Sequence, residues 1–434
     1  MTPQTASMAA GRRVGGHERG SARWRMVAAL AVTQTVGYGV LYYAFAVVLQ
    51  PMAATLHAST AVVTGALTCS VLAGAVMAVP VGRWLDRHGG RALMTTGSVL
   101  ATVLVLAWSQ IRTVAQLYLA LIGVGLTAAM VLYEPALTVV VSWFPPRQRA
   151  KAVLAVIAVA GFASTIFMPL TGILLDRYGW RTALAVLAVV YGVVAVPLHA
   201  LTVRTPPRAE EAAGRPRADR RRAVVRAAVR DRRFWWLAVA FVAHGAAMSA
   251  ITVHLVGFLV HKGHPATFAA TVAGLLGVLS VTGRLVLTGL HRRLPLHVLA
   301  AVVFTVQATA AAGLTVVAGS RIGAAAAVVA FGIGFGVASL VKPALLADRY
   351  GTTAYGTLAG VLATPITVAK AAAPLAAAGL IATGGYPAML AAVGAACLLA
   401  AVGITARAST PTPVSDIHPT RAVETAGQLA AASD

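Results

Sequence analysis

A chain of 434 residues in which 59% are hydrophobic and only 11% are charged is not composed like a soluble domain, where about 25% of residues carry charge and the apolar surface has to be covered. Two cysteines, Cys69 and Cys397, lie in apolar runs without a CxxC pair. This argues against a disulfide framework and against cysteine-based metal or redox chemistry. The formal net charge of +23 invites a nucleic-acid reading, but the positions of the charges oppose it, as the pass along the chain shows.

The first 25 residues are basic and lack an apolar core before Trp24, so they do not read as a cleaved signal peptide. Apolar stretches then follow at about 25–49, 60–82, 92–110, 115–143, 151–175 and 181–202. A second set runs at about 234–260, 266–290, 296–318, 322–347, 354–381 and 385–406. Each is near the roughly 20 residues that cross a bilayer as a helix. Between the sets, 203–233 holds eleven arginines, four acids and Pro206, Pro207 and Pro216. It is too polar to span, and Arg220 to Arg233 reads as a basic helix on the membrane surface. The predicted architecture is an all-α membrane protein with twelve transmembrane helices in two pseudo-symmetric six-helix bundles. Its parts are a cytoplasmic tail 1–24, a first bundle 25–202, a basic cytoplasmic linker 203–233, a second bundle 234–406 and a cytoplasmic tail 407–434.

Of 35 Lys and Arg, this topology puts 27 on one side, 5 on the other and 3 within the membrane. The charge-rich side is therefore expected to be cytoplasmic, with both termini on it. Attraction to anionic lipid is a second use for the same charges. The two sets are also internal repeats. Glu134-Pro135-Ala136-Leu137 recurs as Lys342-Pro343-Ala344-Leu345, 208 residues on, and Gly82 recurs as Gly289, 207 residues on. Parallel repeats related by an axis along the membrane normal are a recurrent transporter architecture.

The segment Gly82-Arg-Trp-Leu-Asp86-Arg87-His-Gly89-Gly-Arg91 closely resembles the Gly-x-x-x-Asp-Arg-x-Gly-x-Arg loop of the major facilitator superfamily. Glycines at 82 and 89 permit close helix contact and a tight turn. Asp86 is suited to accept from the N-terminal amides of a neighbouring helix or from an arginine. The resemblance implies the major facilitator fold and a latch, formed by Gly82, Asp86, Arg87, Gly89 and Arg91, that holds the halves in an outward-facing state. After the eighth stretch the copy is degenerate, with Arg293 where Asp86 would repeat. Two further stretches narrow the resemblance. Trp143-Phe144-Pro-Pro-Arg147-Gln-Arg149-Ala-Lys151-Ala, leading to Ala160-Gly161, is similar to the fifth-span motif of monocarboxylate porters and oxalate/formate antiporters. Gly37-Tyr38-Gly39 is similar to their first-span motif, except that Val36 stands in place of its acid. Residues 161–172 lack the Gly-Pro-x-x-Gly-Gly pattern of proton-coupled drug antiporters.

Ionisable residues at bilayer depth cost about 2.5–3.5 kcal/mol each at a helix centre, which makes them functional candidates. They are Glu134, Arg284, Lys342 and Lys370: three cations and one acid. One acid neutralises at most one cation, and an anionic substrate would serve the others. The planar fork of Arg284 matches a carboxylate, and Lys370 offers a point charge between Pro365 and Pro374. By resemblance, an eighth-span arginine and an eleventh-span lysine hold the dicarboxylate in oxalate/formate antiporters, and Arg284 and Lys370 fall at those places. Monocarboxylate porters carry an Asp one turn before that arginine, where this chain has Ser280.

Each candidate has a plainer alternative. Arg284 is near enough to its helix end to reach the interface. Glu134 and Lys342 would form a structural salt bridge or gate instead of a binding site. His244 would relay protons or be a hydrogen-bonded structural histidine. Tyr38 and Tyr42, one turn apart, would line a cavity or pack in the core, and Tyr133 shares that ambiguity.

The reading that follows is a secondary active transporter, not an enzyme. It would carry a small organic anion, a mono- or dicarboxylate, by alternating access, coupled to protons or by anion exchange. It would sit in the cell membrane as a monomer, with no cofactor, no metal, no nucleic-acid partner and no ATP hydrolysis. Substrate would meet Arg284, Lys370, Lys342, Tyr38 and Tyr42, while Glu134 and His244 handle protons or charge pairing. The alternatives are an exporter of drugs or secondary metabolites on the same fold and, in another class, a transporter-like sensor or scaffold signalling through the linker.

Overall fold

The computed structural model describes residues 22–204, 217–291 and 293–406. The tail 407–434, nearly all of the tail 1–24 and linker residues 205–216 lie outside the described residues. Every described element is a helix or turn. Among the described residues nine helices are long and apolar enough to cross a bilayer, and a bent pair over Thr271–Gly277 and Thr282–Leu290 makes a tenth. Two of the nine, Pro146–Thr202 with 57 residues and Tyr355–Thr405 with 51, are too long for one crossing. Each is divided by a glycine in the left-handed region, Gly179 (φ 75) and Gly385 (φ 71). Splitting both brings the spans to twelve. The two glycines stand 206 residues apart, so the repeat seen in the sequence extends to backbone conformation.

In chain order the helices are α1 (Ala22–Thr55), α2 (Thr60–His88), α3 (Arg91–Ser109), α4 (Val114–Trp143), α5 (146–178) and α6 (180–202). The linker helix α7 (Arg217–Arg230) follows. The second half holds α8 (Arg232–His261), α9 (Ala266–Leu290), α10 (Leu296–Val317), α11 (Arg321–Tyr350), α12 (355–384) and α13 (386–405). Side-chain caps start several of them. Ser59 accepts from the Val62 amide, Thr113 and Gln116 form a reciprocal capping box, Asp231 accepts from Arg233, and Ser320 accepts from Gly323.

The helices differ from the apolar stretches in informative ways. The Gly82–Arg91 segment, expected as a loop, is helical to His88, and Gly89 (φ 77) ends it. Charge does not stop a helix, and Arg87 and His88 in the last turn favour its C-terminal dipole. α5 begins at Pro146, five residues ahead of its apolar run, because proline suits the first helical position. α7 matches the expected basic helix, shifted to end at Arg230. Its Val224, Val225 and Ala228 pack inward, while Arg220, Arg222, Arg226 and Arg230 are exposed.

Three large apolar cores and a small one around Val81, Leu85 and Leu93 organise the described residues. One lies wholly in the first half, around Phe45, Trp108, Leu121 and Phe167. A second lies wholly in the second half, around Phe258, Phe331, Met389 and Cys397. The third draws on both halves, with Met26, Leu137, Phe144 and Val153 against Phe234, Val341, Tyr350 and Leu358. It sits at the arginine-rich ends of the helices, so the halves join there and keep separate cores toward the opposite face. α2 and α12 form the tightest part of the joint. A Cβ on Gly82 would run into the Gly356 carbonyl, and one on Gly360 into the Ala78 carbonyl, so backbone touches backbone.

Candidate functional site

The site is built from breaks in helices. Pro135 has no amide to give the Val131 carbonyl, and the backbone departs from helix at Leu132 (φ −80, ψ −155). The buried Gln34 of α1 donates its amide to that freed carbonyl at 2.7 Å. The break sets Tyr133 and Glu134 at the first turn of a new helical segment. In the other half α11 breaks between its segments Arg321–Ile333 and Val337–Tyr350, and Arg284 of α9 donates through Nε to the Gly336 carbonyl in the break at 3.1 Å. In α12, Pro374 leaves the Lys370 carbonyl without a helical donor. The Ser249 hydroxyl of α8 donates to it at 2.7 Å. Freed backbone of this kind is tolerated at membrane depth where neighbours or a cavity satisfy it.

These breaks bring the ionisable residues together. Lys342 donates to Glu134 across the two halves, and their side chains are 16% and 35% exposed. Lys370 interacts electrostatically with both members of that pair, and its stem lies against Gly245 of α8. Arg284 interacts electrostatically with Tyr133, Tyr43 and Tyr38. Among the described residues neither Arg284 nor Lys370 has a carboxylate within ion-pair distance. Tyr38 packs against Tyr133 with ring centroids 4.4 Å apart, and Tyr42 lies edge-on to both Tyr38 and Tyr43. Thus Arg284, Lys370, Lys342, Glu134, Tyr38 and Tyr42 form one neighbourhood at the centre of the molecule.

His244 stands apart. It is buried in α8, its Nε2 is 3.0 Å from Gln307 Oε1, and its ring stacks on Phe304. Gln307 in turn donates to the Phe331 carbonyl. His254 is likewise occupied, at 2.9 Å from the Pro374 carbonyl.

Toward the arginine-rich face the neighbourhood is closed by Asp86. Its Oδ1 accepts from the Gly356 amide at 2.8 Å, and its Oδ2 from the Thr357 amide at 2.7 Å and hydroxyl at 2.6 Å. These are first-turn donors of α12, where a helix presents unsatisfied amides and positive potential. Arg87 and Arg91, on the same segment, are both exposed. Further along, Thr364 of α12 donates to the Ala75 carbonyl of α2 at 3.0 Å. Lys370, six residues beyond, is exposed.

Residues that composition alone did not single out hold this framework. Gln34 and Ser249 have a weak signal: each is a small polar residue in an apolar helix. Their partners, carbonyls freed by prolines on other helices, are not legible locally. Tyr43 joins the site through a π-turn over Gly39–Tyr43, closed by the Ala44 amide donating to the Gly39 carbonyl.

A helical bundle of apolar spans with an internal repeat, broken helices and charged side chains meeting between its halves is the framework of a membrane transporter. The chain belongs to the Major Facilitator Superfamily, whose profile matches residues 30–364. Among curated proteins it is 30% identical to monocarboxylate transporter 11 of Mus musculus over 194 residues, 44% of this chain. The match spans only 40% of that relative's length. Solved structures with the same fold include the fucose:proton symporter of E. coli (TM-score 0.71, 14% identity, 88% of this chain and 98% of that one). A bacterial homologue of the iron transporter ferroportin gives 0.73 at 16% identity, covering 90% and 100%. A human organic anion transporter gives 0.68 at 17% identity, covering 88% and 99%.

Proposed function

We propose that this transporter moves a small organic anion, a mono- or dicarboxylate, by alternating access. The observation that carries the reading is the charge count within the spans. Three cations in the spans of the second half stand against one acid in those of the first, and that acid is engaged by Lys342. Arg284 and Lys370 are left to a ligand. The name of the partial relative, a monocarboxylate transporter, agrees with this class.

In the proposed cycle the halves, joined at the arginine-rich face, admit substrate from the opposite face, and the arginine-rich face is read as the cytoplasmic one. Substrate carboxylates meet Arg284, with its preorganised fork, and Lys370. Opening the other face requires the Asp86 bonds to α12 and the Lys342–Glu134 pair to break, since both join the halves. Glu134 neutralises Lys342 while the site is empty. It releases Lys342 when a substrate carboxylate takes its place beside Lys342 or when a proton neutralises Glu134 as substrate arrives, which couples transport to exchange or to protons. The working unit is a monomer in the cell membrane.

Counterflow into proteoliposomes with labelled acetate, lactate, pyruvate, formate, oxalate and succinate tests the class. Accelerated uptake of at least one is expected. Uptake of none would turn the reading to the exporter. Binding without any flux, with output lost on deleting 208–222, would turn it to the sensor.

A further inference from the structure

The first half contributes to the site an acid already paired with Lys342 and four tyrosine rings in sequence. Tyr133 packs on Tyr38 at 4.4 Å, Tyr38 meets Tyr42 at 6.4 Å, and Tyr42 meets Tyr43 at 5.4 Å. In an unbroken α-helix Tyr43, five residues after Tyr38, would point to another side. The π-turn at Gly39–Tyr43, with its i to i+5 bonding, widens the helix so that residues 38, 42 and 43 share one face. Such turns are concentrated at functional sites. Gly39 permits it because a side chain there would collide with the Phe167 ring. Tyr42 remains 47% exposed, so this aromatic surface has a free end. The second half presents cations, and Arg284 faces Tyr38, Tyr43 and Tyr133.

We infer that the substrate is a carboxylate bearing an aromatic ring, its ring on the tyrosines of α1 and α4 and its carboxylate on Arg284. The inference rests on the anion-carrier reading above and narrows it. Aromatic faces carry negative quadrupole charge, so a ring is attracted edge-on or offset while a bare carboxylate is repelled from the faces. A short aliphatic dianion would set its carboxylates on Arg284 and Lys370 and leave those faces without an apolar partner. An aryl carboxylate has one end for each wall.

Matched pairs isolate the ring: phenylacetate against acetate, phenyllactate against lactate, phenylpyruvate against pyruvate, each competing for counterflow in proteoliposomes of the full chain. The aryl member of each pair should compete about tenfold better, the scale of one or two aromatic contacts. Tyr42→Ala should weaken the aryl member several-fold more than its parent acid, while Tyr42→Phe should keep the ratio. Parents competing as well as their aryl partners would overturn the inference and leave the anion reading standing. So would a Tyr42→Ala variant that weakens both members equally. Failure of both members of every pair, together with no uptake of formate, oxalate or succinate, would overturn the anion reading itself.

Discussion

Replacing Asp86 with asparagine tests how the halves are held. The carboxylate accepts three hydrogen bonds, two from amides and one from a hydroxyl at the start of α12. Asparagine keeps one acceptor oxygen, turns an NH2 toward the remaining donors and removes the negative charge from the helix N-terminus. Hydrogen bonds to charged groups contribute about 1.5–3 kcal/mol and the dipole term about 0.3–1 kcal/mol, so a net loss of roughly 2–4 kcal/mol follows, a shift of about 30- to 800-fold in the equilibrium between the two facing states. Spin labels on Arg147→Cys and Arg293→Cys, exposed positions in opposite halves at the arginine-rich face, report the change in a background with Cys69→Ala and Cys397→Ala. Pulsed electron resonance should show one short distance with Asp86 present and a second, longer population in Asp86→Asn. An unchanged distance distribution would refute the assignment of Asp86 as the residue that holds α2 to α12.

The pair Glu134–Lys342 should behave as a unit. Lys342→Met alone leaves a partly buried carboxylate and should lower the thermal midpoint, whereas Glu134→Gln with Lys342→Met should recover most of the loss; additive losses in this double-mutant cycle would contradict a shared bond. Glu134→Gln alone should exchange substrate yet fail to accumulate it against a gradient under an imposed pH difference, and normal accumulation would remove Glu134 from coupling. At the mouth of α8, burial raises the Asp231 carboxyl pKa, but bonds from the Arg233 amide, Arg349 and Tyr350 outweigh it and hold the pKa below the ordinary value of 3.8. A depressed carboxylate stabilises the fold fully above its ordinary pKa, and that contribution disappears as pH falls through the lowered value. Thermal midpoints of wild type and Asp231→Asn should therefore differ at pH 6 and draw together as the pH falls below 3.8, and a gap that does not narrow there would contradict this ionic role.

Much of the fold is legible because bilayer depth imposes length and polarity on each segment. The Glu134 and Lys342 steps were visible as one repeat, and their meeting in space follows from the pseudo-symmetry that the repeat implies. Arg284 and Lys370 stood out because charge is rare in such helices. Other features depend on neighbours distant in sequence. The break at Leu132 is hinted at by Pro135, but the answering donor, Gln34, is 97 residues earlier. Ser249 and Lys370 meet across 121 residues. The π-turn that swings Tyr43 toward Arg284 has no periodic signature, since it alters one turn in a helix whose composition is uniform. His244 carried the strongest polar signal of the eighth helix, α8, yet Gln307 and Phe304 take up its ring.

The central claim is that the cations of the second half hold the substrate's carboxylate. The most direct measurement is the initial uptake of a transported labelled anion into proteoliposomes containing wild type, Arg284→Gln or Lys370→Gln, with insertion checked for each. Both substitutions should reduce uptake to background while the protein remains folded and inserted. Near-normal uptake by both variants would contradict the account.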